Sequence, residues 1–237
     1  MRTPVSRYSL SLSLALGLLL LLLSACRAGA SRLDLVLLTH ADADHIGGAA
    51  AVVRALPVGQ VVEPAWPALT PLYRALLDTL TGRRVPWRPA RAGDRWAFGD
   101  VRVEVLWPTD SAVRAARAAN DASLVLRIRY GRGVVLLPGD APQVVEEALV
   151  ARYGSGLRAT VLAAGHHGSA TSTGDAWLDA VRPQLVLVSV GRGNRYGHPS
   201  AAVLRRLAER GLPLARTDRH GTVSLRIDSD GRWRRLR

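Results

Sequence analysis

The chain has no lysine and only one cysteine, one methionine and one phenylalanine among 237 residues. A single cysteine, Cys26, cannot close a disulfide within one chain, so the core alone must hold the fold. Aromatic residues make up 5%, which leaves valine, leucine and alanine to fill that core. A composition 48% hydrophobic and 22% charged, with mean hydropathy +0.09, excludes a disordered tail, a collagen-like fibre and a polytopic membrane protein. Without lysine, all 32 basic residues are arginine, against 19 acidic ones, for a formal charge of +13. Arginine presents a planar, permanently charged fork that suits phosphate. Codon usage in a GC-rich genome also accounts for arginine in place of lysine, but not for the excess of positive charge.

Residues 1–26 read as an export signal. Arg2 and Arg7 supply a positive start, the stretch from Leu10 to Leu23 is apolar apart from Ser11 and Ser13, and Leu23-Ser24-Ala25-Cys26 is similar to a bacterial lipobox. The expectation is a lipoprotein lipidated at Cys26 and anchored outside the cytoplasmic membrane, with residues 27–237 as one domain. The alternative is an uncleaved single transmembrane anchor.

Along the rest of the chain, apolar runs alternate with helical patterns. Strands are expected at Leu33–Leu38, Val61-Val62, Val101–Leu106, Ser123–Tyr130, Val134–Leu137, Thr160–Ala164 and Leu185–Val190. Helices are expected at Ala49–Leu56, Pro71–Leu80, Ala141–Tyr153, Asp175–Val181 and Ala201–Arg210, and a terminal hairpin at Thr222–Ile227 with Trp233–Leu236. The alternation predicts a layered α/β domain with mixed sheets and outer helices. Five of the six histidines, His40, His45, His166, His167 and His198, fall in three polar clusters, each shortly after an apolar run. Loops at strand ends are where a rigid scaffold can aim several ligands at one point. Residues 40–45 pack two imidazoles and the carboxylates of Asp42 and Asp44 into six positions, and a divalent cation would offset the repulsion between them. A helix cap would need one carboxylate and no histidine.

His-x-Asp-x-Asp-His at 40–45 resembles the His-x-His-x-Asp-His signature of the metallo-β-lactamase fold, in the variant typical of ComEC-type DNA-uptake proteins. Further matches follow in order: Asn120-Asp121-Ala122-Ser123-Leu124-Val125-Leu126, Leu136-Leu137-Pro138-Gly139-Asp140, His166-His167-Gly168-Ser169, Ser189-Val190-Gly191 with Asn194-Arg195-Tyr196-Gly197-His198-Pro199, and Thr217-Asp218 with Gly221-Thr222. The resemblance implies an αββα four-layer sandwich and a hydrolase using two divalent ions, manganese or zinc. By carry-over, His40 and Asp42 belong to one metal site, Asp44 and His45 to the other, and Asp140 bridges. His166, or alternatively His198, completes the second site. Asp44, His167 and His198 are the catalytic candidates, with His167 and His198 orienting substrate or donating a proton. Ser169, Arg192, Asn194 and Arg195 are candidates for holding the phosphate. Between the first cluster and Asp140, where lactamases have a histidine, this chain offers Asn120 and Asp121, and an oxygen-rich set favours manganese. His220 reads as a turn residue.

The family normally carries a β-hairpin segment before the first metal cluster. Only Cys26 to Arg32 separate the lipobox from the strand leading to His40, so the expected sandwich is N-terminally shortened. The functional expectation is a metal-dependent phosphodiesterase or nuclease acting on DNA outside the membrane, with a DNA-uptake channel as partner. The alternatives are a small-ester or phosphoester hydrolase, and a non-catalytic remnant that binds DNA. Oligomeric state is left open.

Overall fold

The structure, a computed structural model, describes residues 10–14 and 31–236. In chain order the elements are β1 (Leu10–Leu14), β2 (Val36–Leu37), α1 (Ala43–Ile46), α2 (Ala49–Ala55), β3 (Val61–Glu63), α3 (Pro71–Gly82), β4 (Trp87–Pro89), β5 (Arg95–Phe98) and β6 (Val101–Trp107). Then come α4 (Asp110–Ala115), β7 (Val125–Tyr130), β8 (Gly133–Leu137), α5 (Gln143–Tyr153), β9 (Val161–Ala163), α6 (Asp175–Val181) and β10 (Leu185–Val188). The last are α7 (Ala201–Glu209), β11 (Leu214–Arg216), α8 (Thr217–His220), β12 (Val223–Ile227) and β13 (Trp233–Arg235).

A seven-stranded sheet runs β11-β10-β9-β8-β7-β6-β5. Its β5–β8 part is antiparallel and its β8–β11 part parallel. Two three-stranded sheets, the parallel β2-β3-β4 and the antiparallel β1-β12-β13, complete the strand content. Successive residues of β8 point to opposite faces, as the pleat requires. Val134 and Leu136 pack with Leu149 of α5, Trp177 of α6 and Val203 of α7, while Val135 packs with Leu225 and Ile227 of β12. Val62 of β3 meets Val105 and Leu126, and the far face of β2-β3 is covered by Ile46, Val53, Leu76 and Leu80. The layers are therefore helices, large sheet, small sheets, helices, which is the expected αββα sandwich.

Local chemistry explains the helices that position this framework. Thr70 caps α3 by accepting the Tyr73 N–H, Pro71 sits at its first position, and Tyr73, Leu76 and Leu80 form its buried stripe. Ser200 caps α7 in the same way through the Val203 N–H, and Val203 and Leu207 are buried.

The expected strands and helices are present with ends moved by a few residues, and six elements lie outside the sequence reading, one of them the single-turn α1 at the polar cluster. β4 and β5 are short, mostly exposed strands toward sheet edges, α4 buries no residue, and β11 and α8 are three and four residues long. None carries an extended apolar period, so none had a signal to read. Leu10–Leu14, part of the stretch read as an export signal, pairs with Val223–Ile227 as β1. The Leu-Ser-Leu-Ser-Leu alternation is a period-two pattern that the longer apolar run conceals. The remainder of 1–26, including Arg2, Arg7 and the lipobox with Cys26, lies outside the described residues. Among the described residues no helix is long and apolar enough to cross a membrane.

Candidate metal centre

All the polar clusters sit beyond the carboxyl ends of strands. His40 follows β2, Asp140 follows β8, His166 and His167 follow β9, and His198 lies on the loop after β10. Asp44 and His45 are on α1, the single turn into which the cluster winds, with Asp42 at its N-cap position. The Asp42 side chain makes no capping bond. Parallel pairing of β8, β9 and β10 brings their ends side by side, and packing against β3 and its neighbours brings β2 to the same edge.

Four imidazoles share one arrangement. His40 has Nδ1 3.1 Å from Thr39 Oγ1 and 3.2 Å from Ser123 Oγ, and His45 has Nδ1 3.1 Å from the same Thr39 hydroxyl. His167 has Nδ1 2.8 Å from the Ser189 carbonyl, and His166 has Nδ1 3.2 Å from Thr171 Oγ1. A carbonyl can only accept, so His167 Nδ1 carries the proton and its Nε2 is left as a lone pair in the neutral ring. In every case Nε2 turns towards Asp140. His40 and His167 lie 3.8 Å and His166 3.6 Å from Asp140 Oδ2, and His45 lies 3.3 Å from Oδ1.

Two groups of three are close enough to share an ion: His40, His45 and Asp140, and Asp44, His45 and His167, with one ligand atom from each within 4.8 Å of the others. His45 belongs to both. Its Nε2 is 3.2 Å from His167 Nε2, a contact between two ring nitrogens that needs a proton or a cation to be favourable. Asp44 Oδ2 lies 3.3 Å from His167 Nε2 and 3.7 Å from His45 Nε2, and Asp42 Oδ2 lies 3.6 Å from His40 Nε2. Asp42 is at the rim, with half of its side chain exposed.

Electrostatics separate these groups. Burial and the neighbouring His45 lower the His40 pKa to about 4, so its ring is neutral at pH 7. Its Nε2 is buried and has no hydrogen-bond partner. Burial also opposes charge on Asp140, but His45, His167 and His40 outweigh it and hold the carboxyl below its ordinary value. Hydrogen bonding to His167 holds Asp44 low, whereas burial and Asp44 raise Asp42. Burial lowers His167, but Asp44, Asp140 and the Ser189 carbonyl together bring it above the usual histidine value. A neutral, unpartnered nitrogen facing an ionised buried carboxylate is a donor set that fits a divalent cation.

The structure redistributes several roles read from sequence. His167 joins Asp44 and His45, a place the sequence reading left to His166 or His198. His166 faces Asp140, and His198 is one ring further out, 5.6 Å from His166 between centroids. His166 and His167 both have left-handed backbone, φ 48° and 56°, which sends adjacent side chains in directions that no periodicity reveals. Ser169 is buried and bonded to Thr171, and the Asn194 amide bonds to Gly191 and to both backbone groups of His198. Both are spent on holding loops. Arg192 and Arg195 are exposed, on the Asp218 carbonyl and the Tyr196 hydroxyl respectively. Asp121 accepts the Arg117 and Ala118 N–H groups and enters neither group of three, while Asn120 Oδ1 is buried without a hydrogen-bond partner. Asp140 does not cap α5, whose N-cap residue is Pro142, and His220 Nδ1 bonds to the Arg216 backbone.

Sequence reasoning missed the supporting residues. Thr39 and Ser123 stand behind two imidazoles. Glu146 is 1% exposed on α5 and accepts the Thr173 and Gly174 N–H groups at 2.7 and 2.8 Å, while Thr173 Oγ1 accepts the Gly165 N–H. That chain braces the turn bearing His166 and His167. Burial pushes the Glu146 pKa up to about 7. Beside Asp44 and His167 lies a pocket of about 190 Å³, walled by Val190, Gly191, Tyr196 and His198.

Comparison with known proteins adds context. The family profile described as Metallo-beta-lactamase superfamily matches residues 11–192. The chain is 36% identical over 204 residues to Competence protein ComA of Neisseria gonorrhoeae, covering 86% of this chain and 27% of that protein. It is 32% identical over 198 residues to ComE operon protein 3 of Bacillus subtilis, covering 84% and 25%. The chain thus spans about a quarter of the length of these curated relatives. Among solved structures, the metallo-beta-lactamase fold protein YhfI from Bacillus subtilis matches with TM-score 0.50 at 13% identity, over 84% of this chain and 81% of that one. CmlA, a diiron beta-hydroxylase from Streptomyces venezuelae, matches with TM-score 0.53 at 17% identity, over 78% and 44%.

Proposed function

The chain belongs to the metallo-beta-lactamase superfamily, and from that premise we propose that it is a metal-dependent phosphodiesterase cutting DNA outside the cytoplasmic membrane, in a DNA-uptake setting. The observation that carries the catalytic part is the convergence of four Nε2 atoms on buried Asp140, with His40 Nε2 neutral and unpartnered. The excess of arginine and the likeness to Competence protein ComA support a DNA substrate.

His40, His45 and Asp140, with Asp42 at the rim, would hold one ion, and Asp44, His45 and His167 a second. Manganese or zinc there supplies Lewis-acid stabilisation of charge on a phosphoryl oxygen. The chain's own groups do the rest. Thr39, Ser123 and Ser189 set the imidazole orientations, and exposed Arg192 and Arg195 attract the phosphodiester. His198, whose pKa burial and His166 lower, stands at the pocket wall where its ring N–H can bond a substrate oxygen.

Asp140→Ala tests this reading. It should lower the metal content measured by elemental analysis after manganese or zinc loading, and reduce DNA hydrolysis by about 100-fold or more. A wild-type protein that takes up no metal under these conditions refutes the catalytic reading in favour of a DNA-binding remnant. Metal uptake without DNA hydrolysis favours the small-ester hydrolase.

Membrane tethering through Cys26 is a separate proposal, resting on the lipobox-like residues 23–26. A chain cleaved before Cys26 lacks β1. Intact mass of the membrane fraction decides: a diacylated product beginning at Cys26 supports the anchor, and a full-length unmodified chain excludes it.

A further inference from the structure

The pocket beside Asp44 and His167 has a chemistry that the metal groups do not explain. Its walls combine the Asp44 carboxylate and the His167 imidazole on the metal side with Ser189, Val190, Gly191, Asn194, Tyr196 and His198. Tyr196 is 67% exposed although it borders the centre. Exposure of a large ring at that place leaves apolar surface uncovered where a substrate must lie. The His198 ring runs nearly parallel to it, at 21°, with centroids 6.0 Å apart. That spacing gives only partial overlap and leaves tyrosine surface uncovered. The Arg195 guanidinium rests 5.2 Å over the ring and donates to the Tyr196 hydroxyl. Because Arg195 is exposed, swinging it away to meet a phosphate costs little.

The size of the pocket limits what enters. About 190 Å³ is below the 300–1,000 Å³ of sites for drug-sized ligands, so it takes one flat ring and not a base pair. Val190 and Gly191 offer no charged group. Asp44 and His167 lie at the metal end, where a phosphodiester would be, and because the Asn194 amide is engaged by the backbone of Gly191 and His198, the rings of Tyr196 and His198 are what the opposite wall offers a ligand.

We propose that Tyr196, with His198 beside it, is a stacking platform for the single unpaired nucleobase flanking the scissile phosphate, with Arg195 moving from the tyrosine to the next phosphate. The inference rests on the nuclease reading and deepens it, because it assigns recognition to a base and so requires a nucleic acid whose flanking base is out of the duplex. Stacking on an aromatic side chain accepts every base, so the platform confers a demand for a base without a preference for sequence.

The test uses a single-stranded oligonucleotide and its twin carrying abasic residues in place of every base. Hydrolysis is measured with manganese, and binding is measured separately without metal by fluorescence anisotropy. Wild type should favour the base-bearing strand by on the order of tenfold in both assays, the low end of base–aromatic stacking. Tyr196→Phe should keep that ratio, and Tyr196→Ala should bring it close to one. Equal treatment of the two strands by wild type overturns the platform, and so does a ratio that survives Tyr196→Ala. A binding ratio that follows these expectations without any hydrolysis refutes the nuclease reading while leaving the base subsite standing.

Discussion

At the residue scale, the centre depends on side chains whose second atom is tied. An imidazole with both nitrogens free can flip, whereas one with Nδ1 held by a carbonyl or hydroxyl presents Nε2 in a defined direction. Thr39 serves two such rings at once, which couples His40 to His45. Glu146 acts one step further back, on the backbone of the turn that carries His166 and His167. Its carboxyl has an ordinary pKa of 4.5 and is raised to about 7 by burial. The folded protein then binds more protons than the unfolded chain between those values, so the contribution of this group to stability falls as pH rises from 4.5 to 7 and is level above. Glu146→Gln removes that slope. It also sets an amide N–H against a backbone N–H, which should cost on the order of 1–3 kcal/mol. Urea unfolding at several pH values checks this: the stability of wild type relative to Glu146→Gln should decline between pH 4.5 and 7. A constant difference would show that the carboxyl titrates elsewhere.

At the element scale, the decisive contact joins the turn after β9 to the loop after β10. Gly168 has φ +82°, and a β-carbon added there would lie 2.6 Å from Pro199 Cβ and 3.1 Å from its Cα. The same two loops are linked by the Ser200 N–H donating to the Gly168 carbonyl. Gly168→Ala therefore meets both a strained backbone and a clash with a rigid ring, and should destabilise the protein by about 2 kcal/mol or more. The displaced turn carries His167, so metal affinity at the Asp44–His45–His167 group should drop as well. Thermal unfolding and a metal titration read the two effects, and an alanine variant with wild-type melting and metal binding would show that the loops separate without cost. The element-scale reading of sequence succeeds where an element has a buried stripe, as in α6, whose span Asp175–Val181 agrees at both ends. It fails at β4 and β5, whose side chains are largely outside the core.

At the scale of the whole molecule, charge is the readable property. The terminal hairpin sets Arg226 directly opposite Arg234, and Arg234 and Arg235 are both exposed. Like charges paired across a hairpin are tolerated at a cost in stability, and an anionic partner would relieve it. DNA binding should weaken steeply with salt, with a slope near 0.9 per phosphate contact on duplex DNA. Reversing Arg234 and Arg235 to glutamate should flatten that slope by up to about 2 if both residues touch phosphate. Metal content, measured on the same samples, should not change, because the hairpin contributes no residue to either metal group. Binding by wild type that is independent of salt would point away from DNA and towards a small ester.

The sequence by itself pointed to His40, Asp44, His45, Asp140 and His167 as candidates for one centre, because histidines and aspartates clustered after apolar runs are costly in a folded chain unless they meet each other or a cation. The alternation of apolar runs and helical patterns gave the α/β class, and the αββα layer order came only with the resemblance of the motifs to the metallo-β-lactamase fold. Which histidine faces which carboxylate was decided only by tertiary structure. His166 and His167 are adjacent in sequence, yet one faces Asp140 and the other also meets Asp44 and His45. That difference comes from two consecutive left-handed residues held from behind by Glu146, a residue 20 positions away. Ser123 behind His40 and Ser189 behind His167 are equally invisible to pattern, because a hydroxyl or a carbonyl becomes a support only when folding brings a ring against it. The placement of Leu10–Leu14 follows the same rule. An alternating pentapeptide does not name its partner, and the free edge of β12 is what supplies one.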